Sequence, residues 1–460
     1  MPGPRILTLA EFEGVYACDE PSPPVREGLH PLDRKRFAQL EELALRLASQ
    51  PENDSGSVLS LGSRKGVGKV VSARNHVGVV ALADGTQIEI LPKTIRSFGV
   101  PGSEERQVNE EKHRKLFLRM LRETWDLNAK EATPSELREA RLPVFEAFIR
   151  MFLGCVSELV KRGLPGGYAR IKNNEPFFKG KLLVSDHIRN NLVRKDRFFV
   201  AHDEFSLDNP ANRILRTGLE WVVKTTRLDS NRRLTRQLLA VFEDVPRSSN
   251  LVGDFASCAA AERNAHCKKA IDWCRVFLRG LSISNLPGTR HAQALLFPME
   301  TIFERFVARR VRREADPFDI RVTTQERPFY LFEKSSRNKP AFKLNPDIVL
   351  RHGGNGTTEL VIADTKWKLL CDDSSVNYGI ATGDMYQMYA YQKRYRAKTI
   401  LLVYPRHKAI DSIASSPPFF RTPDDSDIRV VFFDLNPKFP EASKKSAKVI
   451  LSSLINITEP

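Results

Sequence analysis

The chain has 460 residues, enough for two or three domains that each bury a sizeable core. Its 41% hydrophobic and 28% charged residues are those of a soluble globular protein, and with no internal repeat or long low-complexity tract it is neither a solenoid nor a disordered chain. A formal charge of +16 and a pI near 9.6 favour a polyanionic partner, because lysines and arginines that displace phosphate counterions bind DNA or RNA whatever its sequence.

The start, Met1-Pro2-Gly3-Pro4-Arg5-Ile6, lacks an apolar run of signal-peptide length, and no run elsewhere is long enough to span a membrane. Six cysteines without a paired pattern argue for reduced thiols, so the expectation is a cytoplasmic protein with no membrane partner. Residues 1–105 read as a small mixed α/β domain. Pro31–Ser49 carries a helical period through Phe37, Leu40, Leu43, Leu45 and Leu47, while Val77–Leu82, the turn Asp84-Gly85 and Gln87–Lys93 read as a hairpin. Gly62–Lys69 imitates a phosphate-binding loop but fails it, since Ser63 stands where glycine is needed and Val70 where Ser or Thr is needed. It reads as a basic loop.

Pro101–Lys112, rich in charge, reads as a linker into a mainly helical middle region, residues 106–290. Its helices are Leu116–Trp125, Val144–Arg162 with the breaker Gly163–Gly167 behind it, Asn212–Thr226 and Ala259–Leu281, with strand-like pieces in Tyr168–Val184. Arg189, Arg194, Lys195 and Arg197 form a basic cluster that either tracks a phosphate backbone or is a solvated face. Cys258, His266, Cys267 and Cys274 lack a Cys-x-x-Cys pair and read as buried helix thiols rather than a zinc site.

Residues 291–460 hold the chemistry. Leu295–Val307 has helical spacing, with Pro298 suited to the first turn and Glu304 set between two phenylalanines. Residues 342–351 and 358–369 read as antiparallel strands joined at Gly353-Gly354-Asn355-Gly356. Strand alternation puts Asp364 and Lys366 on one side, roughly 7 Å apart at Cα, with Asp347 able to converge from the partner strand. Carboxylates at the end of apolar strands are costly unless compensated, and an all-oxygen set favours Mg²⁺ or Mn²⁺, held by Asp347, Asp364 and Glu304. Lys366 then orients water or stabilises developing charge. Downstream, Asp384–Tyr391 is a helix with Gln387 and Tyr391 on one face, followed by strands Thr399–Tyr404 and Ile428–Phe433. The plain alternatives are a surface ion pair for Asp-x-Lys, a surface partner of Arg305 for Glu304, and an aromatic stripe packed on the sheet for Gln387 and Tyr391.

The order Glu304, Asp347, Asp364-Thr365-Lys366, Gln387-x-x-x-Tyr391 resembles the PD-(D/E)xK nuclease superfamily and its RecB-like branch. With Val77–Lys93, Arg162–Lys181 and Asp203–Leu215, it resembles over most of the chain McrC, the nuclease subunit of McrBC modification-dependent restriction systems. The resemblance implies an α+β multidomain protein: a small mixed α/β N-terminal domain that docks onto a partner, a helical middle region and a C-terminal PD-(D/E)xK α/β nuclease core. It further implies an endonuclease cutting double-stranded DNA of the 5-methylcytosine type, and a McrB-like AAA+ GTPase ring as partner, which binds the GTP and whose hydrolysis this chain stimulates. Asp347, Asp364, Lys366 and Glu304 carry over as catalytic, Gln387 and Tyr391 as supporting residues. Two other readings stay open: a catalytically silent adaptor that activates an NTPase ring, and an autonomous DNA-binding protein.

Overall fold

The computed structural model describes residues 6–20, 24, 26–49, 58–94, 103–124, 143–283, 293–334, 339–354, 357–423, 425–436 and 440–454. The chain divides into two compact units, Met1–Val144 with Arg290–Pro460, and Phe145–Thr289.

The first unit opens with β1 (Ile6–Ala10), β2 (Gly14–Ala17), β3 (Leu29–Leu32), β4 (Leu59–Arg64), β5 (Gly68–Ala73), β6 (His76–Ala81) and β7 (Gln87–Leu91). These form a sheet in the order β3-β2-β5-β4 and most of a second in which β1 lies parallel to β7 and β7 antiparallel to β6. The β6–β7 hairpin closes at Asp84-Gly85 as expected, with Gly85 at φ +86° supplying the left-handed turn. The Gly62–Lys69 stretch is the β4–β5 hairpin, with no helix behind it to receive a phosphate. The helix Arg34–Ala48 begins at Asp33, whose side chain accepts the Arg36 amide, and buries Phe37, Leu40, Leu43 and Ala44; Leu45, expected on that face, is exposed.

Part of the expected linker is structure. Residues 104–112 start the long helix Glu104–Thr124, while 101–102 fall outside the described residues. One of its charges is internal rather than solvated: Arg106 is buried, donating to the Thr8 carbonyl at 2.9 Å and to Glu110 at 2.8 Å, with Glu13 at 3.4 Å. Glu89 on β7 is likewise buried, accepting from Arg114 at 2.7 Å and from the Val144 amide at 2.7 Å.

In the second unit β8 (Gly167–Glu175), β9 (Lys181–Leu182) and β10 (Phe198–Ser206) form a sheet in the order β8-β10-β9, beside a helical core around Phe148, Phe152, Trp273 and Phe277. The Asn209-Pro210-Ala211-Asn212 run is a staple. Asn209 caps the helix Pro210–Thr225, and the Asn209 and Asn212 amides both donate to the Pro165 carbonyl, at 2.7 and 2.8 Å. Cys155, Cys258, Cys267 and Cys274 are buried free thiols, pushed up by burial into the un-ionised form.

Returning to the first unit, β11 (Gln293–Pro298) adds antiparallel to β6, so Leu295–Pro298, expected as helix, is strand; the helix proper is Met299–Ala315. Then come β12 (Arg321–Thr324), the hairpin β13 (Tyr330–Lys334) and β14 (Lys339–Lys343), β15 (Ile348–Gly354), β16 (Thr357–Thr365), β17 (Thr399–Pro405), β18 (Phe419–Arg421) and β19 (Asp427–Phe433). The main sheet runs β12-β15-β16-β17-β19-β18, with β16, β17 and β19 parallel and buried on both faces. The helix Thr382–Tyr395 covers one face through Met388 and Tyr391, over Val349, Ile362, Ile400 and Leu402. The helices Met299–Ala315 and Pro440–Ser452 cover the other, where Phe303 and Phe306 meet Phe433 edge-on. The expected strand 342–351 is broken at Leu344–Asp347, because Pro346 has no N–H for the ladder. Asn355 and Gly356 of the expected turn fall outside the described residues.

Candidate active site

Asp364 is placed by the sheet. β16 is an inner strand, so its penultimate residue, opposite Leu402 on β17, lies at the C-terminal end of the parallel strands with only 1% of its surface exposed. Burial pushes its carboxyl up to about 7, the Asp347 charge adds to this, and Lys366 opposes both. Asp347 hangs just before β15, antiparallel to β16. Its Oδ2 accepts from the Thr365 amide and hydroxyl, each at 2.7 Å, which fixes the carboxylate beside Asp364. Burial, joined by the Glu300 charge, still holds Asp347 above the usual carboxylate range.

Past the strand end, the Lys366 ammonium lies 2.5 Å from Asp364 Oδ2 and 3.9 Å from Asp384, and donates to Gln387 Oε1 at 2.9 Å. Burial alone would lower its pKa, but Asp364, Asp384 and Asp347 outweigh it and keep the ammonium charged. Gln387 in turn donates to the Tyr391 hydroxyl at 2.8 Å. A surface ion pair on a hairpin does not describe this arrangement, since the Asp364 and Lys366 side chains are 2% and 17% exposed. At that separation the Lys366 ammonium is the direct partner of Asp364 Oδ2, a short ion pair inside the fold.

Glu304 faces the same group. Burial first, and the Asp347 charge second, push it up to about 7, while the Gln325 side chain donates to it. Gln325 holds a left-handed φ of +52°, gives its amide N–H to the Asp347 carbonyl at 3.2 Å and accepts from Asn345. Glu304, Gln325, Lys343, Asn345, Asp347, Tyr386, Gln387 and Tyr391 wall a cleft of about 630 Å³.

The structure thus gathers Glu304, Asp347, Asp364, Lys366, Gln387 and Tyr391. Arg189, Arg194, Lys195 and Arg197 belong to the other unit, the first three exposed and Arg197 half-buried with its guanidinium on the Asn174 carbonyl. Thr365, Gln325, Asn345 and Asp384 are participants that sequence reasoning passed over. Thr365 was visible as the spacer of Asp-x-Lys and Asp384 as the i−3 neighbour of Gln387, but Gln325, distant in sequence, carries no signal. Among the described residues no three His, Cys, Asp or Glu side chains already stand together as a metal cage. The donor chemistry nevertheless fits a hard divalent cation: three oxygen-only side chains, each raised by burial, with the Asp347 charge adding to this at Glu304 and Asp364.

The family model described as McrBC 5-methylcytosine restriction system component matches residues 71–405. The chain is similar to a solved chain in a half-complex refined from a tetradecameric assembly of Thermococcus gammatolerans McrB AAA+ hexamers with bound McrC, at 20% identity and a TM-score of 0.66, covering 98% of this chain and all of that one. A second similarity, to a chain of the Thermococcus gammatolerans McrBC complex, has 21% identity and a TM-score of 0.48, covering 67% of this chain and 88% of that one. No curated protein matches. With well over half of its length matched by that model, the chain belongs to the family of McrBC 5-methylcytosine restriction system components.

Proposed function

We propose that this chain is the endonuclease subunit of a GTP-dependent, modification-dependent restriction complex and that its first unit ends in a PD-(D/E)xK core. The observation that carries the reading is the buried set Asp347, Asp364 and Lys366 on one strand end, with Glu304 and Gln387 closing on it. A Mg²⁺ or Mn²⁺ ion held by Asp347 and Asp364, with Glu304, supplies Lewis-acid polarisation of a phosphodiester and a more acidic water. Thr365 locks the Asp347 carboxylate so that it does not rotate away. Gln387, itself anchored by Tyr391, holds the Lys366 ammonium at a set position, charged, where it orients the attacking water or meets the charge that develops on the phosphate. The buried, ordered Lys366 and Asp364 favour this reading over a silent adaptor, because an unused buried ion pair is weakly stabilising at best.

The partner follows from the family and from the similar chain, which is bound to McrB AAA+ hexamers. By this reading a GTPase ring of that kind binds the GTP and this chain stimulates it. Asp364→Asn tests the site: plasmid cleavage in the presence of partner, GTP, Mg²⁺ and modified DNA is expected to fall at least about a thousandfold, while GTPase stimulation persists. EDTA is expected to abolish cleavage by the unaltered protein. Cleavage that survives either change overturns the metal-carboxylate reading.

A further inference from the structure

The cleft has one wall that the chemistry of hydrolysis does not use. This is the β13–β14 hairpin, paired through Tyr330 with Lys343 and Phe332 with Ala341. Its base is fixed. Phe329 meets Tyr395 edge-on with ring centroids 4.7 Å apart, the Leu344 amide donates to the Phe329 carbonyl at 3.0 Å, and Leu331 packs on the core beneath the helix Thr382–Tyr395. Further out, Phe332 and Phe342 are 60% and 73% exposed, their rings perpendicular at 5.9 Å. Phe342 also has a φ of +58°, a conformation that costs a bulky residue energy and that glycine adopts freely. Folding alone therefore gives no reason for an exposed phenylalanine there.

Location and charge supply one. Leu331, Lys343 and Leu344 line the same cleft as Glu304, Asp347 and Gln387. The sequence 327–343 carries Arg327, Lys334, Arg337, Lys339 and Lys343 against the single acid Glu333. Aromatic rings among cations, at the edge of a phosphodiester site, are suited to nucleic acid: rings stack on bases or wedge into a base step, and cations take the flanking phosphates.

We propose that the β13–β14 hairpin is a DNA wedge, Phe332 and Phe342 stacking on bases of the step beside the phosphodiester in the cleft, with Lys343 and Arg327 on the neighbouring phosphates. This rests on the nuclease reading above. It assigns the hairpin to substrate distortion, a role separate from the metal-binding carboxylates.

The test uses the full chain and a duplex with 2-aminopurine, whose fluorescence rises on unstacking, at physiological salt. The unaltered protein is expected to raise the signal. Phe332→Ala with Phe342→Gly is expected to remove that rise and weaken duplex binding about tenfold or more, with a smaller loss on a duplex whose step is already opened by a mismatch. Phe342→Gly alone is expected to leave Tm unchanged or higher, whereas a structural role predicts a lower Tm and no rescue by the mismatch. Duplex opening that is unchanged in the double variant, or absent in the unaltered protein, overturns the wedge. So does loss of partner binding with opening retained, which would make the hairpin a protein-docking element. A chain that opens the duplex yet never cleaves it with partner, GTP and Mg²⁺ overturns the nuclease reading and leaves the wedge standing.

Discussion

Glu11 occupies the turn between β1 and β2, wholly buried, where Oε2 accepts from the Lys93 amide at 2.9 Å and from Trp367 Nε1 at 3.0 Å while Oε1 has no donor. It thereby ties the N-terminal sheet to the residue that follows Lys366. Burial pushes its carboxyl up from 4.5 to about 7, opposed by those two hydrogen bonds. Between these two values the folded protein holds a proton that the unfolded chain releases. The group's contribution to stability is therefore fully present in acid and is lost as pH rises through about 7, a change on the order of 3 kcal/mol. Glu11→Gln keeps an acceptor for both donors and has no charge to bury. The Tm of the variant relative to the unaltered protein is expected to rise between pH 5 and pH 8 in thermal melts. A difference that is flat or falls over that range would mean that Glu11 is already ionised in the fold.

At the scale of elements, legibility followed periodicity. The β6–β7 hairpin, the β15–β16 pair and the helix carrying Gln387 and Tyr391 were readable because alternation, turn glycines and i, i+4 spacing are local. Residues Leu295–Pro298 were misread as helix because a fully buried strand is a continuous apolar run, and only the distant β6 decides what it becomes. Charge on residues 103–112 suggested a linker, yet Arg106 finds Glu13 and Thr8 nearly a hundred residues earlier in the chain. The candidate site is legible where Asp347, Asp364 and Lys366 lie at the adjoining ends of β15 and β16, and illegible at Gln325, whose role depends on a left-handed backbone and three tertiary hydrogen bonds. Asp203–Leu215 carries part of the family resemblance, and the Asn-Pro-Ala-Asn run within it has a physical role, the staple to Pro165. Asn212→Ala removes one of two amide donors to each of the half-buried Pro165 and Leu207 carbonyls and is expected to cost about 1–2 kcal/mol in urea unfolding. A cost below about 0.5 kcal/mol would show that the run is tolerated rather than required.

For the whole molecule the question is restraint. On the proposed nuclease reading, a chain of net charge +16 would meet DNA of any sequence, and an unrestrained version would attack the DNA of its own host. One feature points to control from outside the chain. Tyr168, Phe177, Phe178, Val193 and Phe205 stand exposed around the β8-β10-β9 sheet, apolar surface of the kind that a partner normally covers. The isolated chain with Mg²⁺ is accordingly expected to cut plasmid DNA negligibly, and to cut strongly only when a McrB-like GTPase, GTP, Mg²⁺ and modified DNA are all present. Omitting one component at a time measures this, and the salt must be physiological because low salt inflates nonspecific binding. Lowering the pH from 8 to 6 in the complete mixture is expected to reduce the rate, since Asp364 and Glu304 take up protons on passing about 7 and then bind a cation poorly. Efficient double-strand cutting by the purified chain with Mg²⁺ alone would reject partner control and make this an autonomous nuclease.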